Sequence, residues 1–314
     1  MERCTAAVTC AGGPRRDDGT MPTAYLWCPA YSLADPARVA KARQGAATLA
    51  GALGWDLREA PTLAQPGAPG RWAPSAIRRQ ELAQALGQDV LLAARGGYGC
   101  LDLVDDLLAW PGRGGRLVGY SDLTVLHAIW RRRGWGETLY GFMPGVDHGP
   151  RALASTIALA RGEGLRCDPA SDPEATVLAE GTAEGWCFAA CLRVLAGLVG
   201  TPALPDLRGA VLALEDIDER PYQIDRDLAQ LHRAGALAGI SGLLFGRFPA
   251  TLAVDYAGPS ASTIARTWAD RLGVPALGGL PIGHDADPLT LACGRTTRLV
   301  AHPGEWYLEQ ASVG

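Results

Sequence analysis

The stretch GRLVGYSDLTVLHAIWRRRG, residues 115–134, passes from strand to helix with almost nothing between. Leu117 and Val118 favour a strand, while Leu123, Leu126 and Trp130 recur at helical spacing with Val125 and Ile129 beside them. Ser121 stands at the joint. It reads either as the cap of the helix, its hydroxyl accepting from an end amide, or as a nucleophile raised on a sharp turn. A capping box would place Glu or Gln three residues on, where Thr124 stands instead. Asp122 can cap in its place, which leaves Ser121 free to point out of the turn.

Working outward, strands and helices alternate. TAYLWCPA (23–30) reads as a first strand, and DPARVAKARQGAATLAGALG (35–54) as a helix with Asp35 as N-cap, Pro36 in the first position and Gly54 as the stop. APSAIRRQELAQALGQ (73–88) is a second helix, DVLLAA (89–94) a buried strand, RGGYG (95–99) a glycine turn and LDLVDDLLAW (101–110) a further helix. This alternation predicts a parallel, Rossmann-like α/β sheet with right-handed crossovers. The crevice of such a sheet lies at the carboxyl ends of its strands, where RGGYG and Ser121 both fall.

The expected organisation is a disordered tail over 1–20, an N-terminal α/β domain over 21–150, a linker over 151–180 and a second, smaller mixed α/β domain over 181–314. In that second part AEGWCFAACLRVLAGLVGTP (183–202) reads as a helix, GAVLALEDID (209–218) as a strand ending in acids, and PYQIDRDLAQLHRAG (221–235) as a helix. ISGLLFGRF (240–248) reads as a strand, SASTIARTWADRLG (260–273) as a helix, and PALGGLPIGHD (275–285) as a strand breaking into a glycine turn.

The composition, 48% hydrophobic and 20% charged over 314 residues, is that of a globular chain. A net charge of −4 gives no electrostatic footprint for nucleic acid, and Arg131-Arg132-Arg133 reads as a solvated helix end. The eight cysteines are scattered without a CxxC pair, which points away from a disulfide scaffold or metal site and toward a reducing, cytoplasmic setting. Cys187 and Cys191, four apart, would share a helix face. No apolar run reaches the roughly 18 residues of a membrane span, and the N-terminus has no secretory pattern.

If Ser121 is a nucleophile, one of five histidines must serve as its base. His127 lies on the following helix and reads as packing, His148 sits in a Gly-Pro loop, His232 is in an amphipathic helix and His302 near the C-terminus. His284 ends an apolar run inside a glycine turn, where a site histidine would sit. Glu215 ends a strand and either caps the next turn or orients a histidine. The RGGYG amides could approach an anion. Neither GxGxxG nor a P-loop is present there, which disfavours a dinucleotide.

Four motifs in order, ARGGYG (94–99), GYSDLTVLH (119–127), LALEDIDERPYQIDR (212–226) and LPIGHD (280–285), resemble the LD-carboxypeptidase family of serine peptidases. That family includes muropeptide-recycling carboxypeptidases and microcin C self-immunity peptidases. The resemblance implies Ser121 as nucleophile, Glu215 as triad acid, His284 as base, and backbone N–H groups of Gly97 and Asp122 as the oxyanion hole. It implies no cofactor or metal, a homodimer, and release of terminal D-alanine from murein tetrapeptides in peptidoglycan recycling. Hydrolysis of a peptidyl-nucleotide antibiotic is the alternative, with Trp186 as a stacking surface. Arg95 is a candidate for the substrate carboxylate. From another class, the same frame could serve a non-catalytic small-molecule binding protein. The chain departs from the family pattern at Ala189-Ala190-Cys191-Leu192 in place of G-G-N-L, at Trp186, at Cys28-Pro29-Ala30, at Tyr140-Gly141-Phe142, and at Asp285 and Pro288 after the histidine.

Overall fold

A computed structural model describes residues 19–33, 35–61, 63, 75–249 and 256–313. Most of the expected 1–20 tail lies outside the described residues. The chain forms two sheets. In the first, β1 (Thr23–Trp27), β2 (Asp56–Glu59), β3 (Val90–Ala93), β4 (Arg116–Val118) and β5 (Thr138–Tyr140) are parallel in the order β5-β4-β3-β1-β2. Helices α1 (Pro36–Leu53), α2 (Ser75–Leu86), α3 (Val104–Ala109) and α4 (Thr124–Arg133) connect them. Every residue of β3 is buried, as expected of a parallel strand covered on both faces. α1 follows its sequence signals: Asp35 accepts from the Ala37 amide at 2.9 Å, Pro36 opens the helix, and Gly54 ends it at φ 68°.

The remaining elements are α5 (Pro150–Ala160), β6 (Leu165–Cys167), β7 (Thr176–Ala179), β8 (Gly181–Cys191), α6 (Leu192–Gly197), β9 (Ala210–Glu215), α7 (Pro221–Arg233), β10 (Gly242–Gly246), α8 (Ala261–Leu272), β11 (Ala276–Leu280), β12 (Leu291–Cys293), β13 (Thr296–His302) and β14 (Glu305–Gln310). The second sheet has the order β6-β14-β13-β8-β9-β10-β11-β7, with β8, β9, β10 and β11 parallel and the flanking strands antiparallel. The fold is therefore mixed α/β with a parallel-rich N-terminal sheet. The second sheet has eight strands and the first six.

Three expectations are corrected. Residues 183–191, read as the first half of a helix, form most of β8, and only 192–197 are helical. β13 pairs with the first half of this strand and β9 with the second, and from Cys187 to Cys191 the strand is buried without polar alternation, so this apolar run resembles a buried helix. Cys187 and Cys191 therefore stand on one face of a strand. Residues 151–180 are no linker: they carry most of α5 and supply β6 and β7, the two edge strands of the second sheet. Their Pro and Asp residues belong to a tight turn in which Asp168 accepts from the Ala170 and Ser171 amides. Finally, β12 crosses back to pair antiparallel with β5, so the second half of the chain completes the first sheet.

The largest buried cluster joins the two halves of the fold, with Trp27 of β1 and Leu126 and Trp130 of α4 on one side and Phe188, Leu214 and Phe245 of the second sheet on the other. At this junction the Cys191 amide donates to Thr124 Oγ1 at 2.9 Å, tying the start of α4 to the end of β8.

Candidate active site

Five loops meet at the carboxyl ends of parallel strands from both sheets. Ser121 follows β4, the RGGYG turn follows β3, Glu215 ends β9, Arg247 follows β10 and His284 follows β11. Ser121 has φ 70°, a left-handed conformation that a residue with a Cβ rarely adopts. It begins a single 3₁₀ turn, Ser121–Leu123, that leads into α4. Neither Ser121 nor Asp122 caps that helix through its side chain. The Asp122 carboxylate accepts instead from the Cys100 amide at 2.8 Å and so fastens the RGGYG turn to the serine turn. Burial raises the Asp122 pKa above the usual carboxylate range.

The sequence candidates Ser121, His284 and Glu215 come together. Ser121 Oγ lies 3.1 Å from His284 Nε2, and His284 Nδ1 lies 2.7 Å from Glu215 Oε2. The His284 backbone amide donates to the same oxygen at 3.0 Å. Glu215 and His284 approach so closely because two glycines make room. A Cβ on Gly283 would stand 1.9 Å from Glu215 Cδ, and one on Gly246 would stand 2.8 Å from Glu215 Cβ. Burial pulls the His284 pKa down, but the Glu215 charge and hydrogen bond, with Asp216 and Asp218 behind, hold it above the ordinary histidine value.

The RGGYG turn lies directly against the serine. A Cβ on Gly96 would meet Ser121 Cβ at 2.9 Å, and Gly97, at φ 118°, would drive one into the Tyr31 ring at 2.3 Å. Glycine is therefore required where the backbone passes the hydroxyl. Arg95 is half-buried with its guanidinium 5.2 Å from the Tyr31 ring centroid, and among the described residues it makes no hydrogen bond or ion pair.

Beyond these, the site contains groups that sequence reasoning missed. Tyr140 Oη donates to Glu215 Oε1 at 2.5 Å and accepts from the Ser121 amide at 3.3 Å. The only local signal was a Thr-Leu-Tyr run between Gly136 and Gly141, short but strand-like. Arg247 donates to Asp285 at 2.7 Å and to both oxygens of buried Asp172, which also accepts from Arg151 at 2.8 Å. Asp287 accepts from the Arg151 and Ala152 amides at the start of α5. Asp285, a departure from the family pattern, thus anchors the histidine loop. No local periodicity reports contacts between residues 75 and 136 positions apart.

Trp186 is corrected as a site residue. It pairs with Ala210 at the start of β9, whereas Cys191 pairs with Glu215 at its end. Five residues of strand separate the two, about 16 Å. Its indole donates to the Arg208 carbonyl and lies under Arg131. Among the other histidines, His127 is fully buried between Thr138 Oγ1 and the Gly119 carbonyl, and burial lowers its pKa to about 4. His148 packs against Tyr120 and Phe142, its pKa also lowered to about 4 by burial. His232 and His302 are exposed and remote. Among the described residues no group of three His, Cys, Asp or Glu could hold a metal ion, and no helix is long and apolar enough to cross a membrane.

A hydroxyl on a constrained turn, an imidazole within hydrogen-bond reach and a buried carboxylate behind it can together activate a nucleophile. Comparison with known proteins agrees with this class. Residues 25–141 match the LD-carboxypeptidase N-terminal domain and residues 184–299 the LD-carboxypeptidase C-terminal domain. The chain belongs to the LD-carboxypeptidase family. It is 35% identical over 237 residues to a Streptomyces coelicolor protein named "Putative carboxypeptidase", covering 72% of this chain and 73% of that one. It is 28% identical to the murein tetrapeptide carboxypeptidase of Pseudomonas aeruginosa, covering 68% and 72% of the two chains. The fold is shared with the muramoyltetrapeptide carboxypeptidase of Oxalobacter formigenes, at TM-score 0.77 and 24% identity over 93% of this chain and 100% of that one. It is shared equally with a microcin C7 self-immunity protein, at TM-score 0.75 and 17% identity over 97% and 99%.

Proposed function

We propose that the protein is a serine-type LD-carboxypeptidase that releases terminal D-alanine from murein tetrapeptides, with Ser121, His284 and Glu215 as its triad. The observation that carries this reading is the continuous relay from Ser121 Oγ through His284 to Glu215, with the serine at φ 70° beside the glycine turn. Ser121 Oγ attacks the carbonyl of the diamino acid while His284 Nε2 takes its proton. Glu215 Oε2 accepts from Nδ1–H, which fixes the tautomer and stabilises the imidazolium. The Gly97 and Asp122 amides donate to the tetrahedral oxyanion. His284 returns the proton to the departing D-alanine amine, and water then hydrolyses the acyl-serine by the same route. Arg95, without an acidic partner among the described residues, receives the substrate's terminal carboxylate.

The substrate class follows from the relatives' names, and the six described cysteines, all buried free thiols, favour the cytoplasm. The test is to incubate purified protein with an L,D-tetrapeptide or a peptidyl-sulfamoyl-adenosine and measure free D-alanine or nucleoside. D-Alanine release by wild type and its loss in Ser121→Ala supports the proposal. Cleavage of the adenosine compound alone would transfer the site to the antibiotic-inactivating reading. Failure to label Ser121 with a serine-hydrolase probe, together with no turnover, would leave a binding protein.

A further inference from the structure

The relay leaves one oxygen of the acid and one amide of the nucleophile without a role, and a single hydroxyl meets both. Tyr140 Oη donates to Glu215 Oε1, the oxygen turned away from His284, and accepts from the Ser121 backbone amide. We propose that Tyr140 is a positioning residue of the hydrolytic site, holding the nucleophile's left-handed backbone and the acid's carboxylate in one register. This rests on the triad reading above.

The chain of physical support runs through β5. Thr138 and Tyr140 are two apart on a strand and so share a face. Thr138 Oγ1 bonds His127 Nδ1 at 2.6 Å, and His127 Nε2 bonds the Gly119 carbonyl at 2.9 Å. With its pKa lowered to about 4 by burial, His127 is neutral at pH 7, so Nε2–H donates to that carbonyl and Nδ1 accepts from the threonine. β5 thus grips the turn on both sides of Tyr120, at Gly119 through His127 and at Ser121 through Tyr140. The Tyr140 ring is buried beside His127 at 5.2 Å between centroids. β12 pairs with β5 opposite it, Leu291 against Tyr140, so the hydroxyl's position is set by the sheet itself.

The second consequence is electrostatic. Three donors reach Glu215: the His284 imidazole and amide on Oε2, and Tyr140 on Oε1. The charged and titratable groups facing His284 are Glu215, Asp216 and Asp218, with His148 across Tyr120. Donation from Tyr140 draws negative charge off the carboxylate, so removing it strengthens the field on the imidazole and raises the pH at which the base becomes free.

The experiment is Tyr140→Phe, assayed for D-alanine release across pH against wild type, with thermal melting alongside. We expect kcat to fall about 10- to 100-fold with KM within about twofold, and the acid limb of the kcat profile to move to higher pH. Replacing Tyr140 by a fluorotyrosine preserves packing while making the hydroxyl a stronger donor, and should move that limb the other way even if the phenylalanine variant does not fold. A phenylalanine variant with unchanged kcat and limb would overturn the inference. So would a loss of rate accompanied by a lower melting temperature and an unmoved limb, which is the mark of packing alone. Inactive wild type would instead reject the triad reading itself.

Discussion

The two sides of the candidate site are held by different physics. The serine side is a backbone construction: Ser121 at φ 70°, Gly96 against it, Gly97 against the Tyr31 ring, and a neutral buried His127 beneath. The histidine side is an ionic one: Arg247 bridging Asp285 and Asp172, Arg151 on Asp172, and Asp287 on the start of α5. A nucleophile needs its hydroxyl at one fixed point, which close packing and buried hydrogen bonds such as that from the Cys100 amide to Asp122 provide. A base needs a biased protonation state as well as a position, and at His284 the carboxylates of Glu215, Asp216 and Asp218 supply that bias against the opposing effect of burial.

If that division is right, substitutions on the two sides fail differently. Ser121→Ala should reduce D-alanine release by at least about 10⁴-fold while the fold survives, checked by activity and circular dichroism. Gly283→Ala forces a Cβ toward Glu215 Cδ, which now lies only 1.9 Å from that point. It should cost about 10²-fold in kcat through displacement of the acid, and a crystal structure with Glu215 unmoved would break the comparison. Arg247→Leu leaves buried Asp172 and half-buried Asp285 short of a partner. Denaturant melts should register about 1–3 kcal/mol of lost stability, whereas an unaffected midpoint would deny the ionic side its role.

The pH dependence separates rate from stability. His284 is held above its ordinary value, so the acid limb of kcat/KM should lie above about pH 6.5. Its stabilising pairing with Glu215 is fully present below the unfolded value and is lost as pH rises through the folded one. Rate should therefore climb over the window in which this contribution to stability declines, a contrast that titrated melts and rate profiles can read together. The smallest effect belongs to the serine backbone. Ser121→Gly relieves the left-handed strain and should raise stability by about 1 kcal/mol, measured in the same melts.

Much of the candidate site was legible as a set of local marks that only their joint order along the chain, the resemblance, singled out. Ser121 sits at a strand-to-helix joint, the RGGYG glycines mark a turn no other residue could make, and Glu215 and His284 each end an apolar run. Helices with capping signals, such as α1, were readable from local marks alone. β8 was not, because a strand buried on both faces loses the alternation that identifies strands. Trp186 misled as well: an aromatic near a departure from the family pattern has no sequence marker for which end of its strand it occupies.

The amino-acid sequence by itself determined the alternating α/β pattern and the glycine turns, since these depend on neighbours within a few residues, while the candidate serine, acid and histidine were singled out by four motifs taken in order along the chain. Tertiary structure alone decided that β6 and β7 would border the second sheet, that β12 would return to the first, and that Tyr140 and Arg247 would brace opposite sides of one site. Those contacts join residues tens of positions apart. Their geometry follows from sheet order and burial, which no local window of sequence contains.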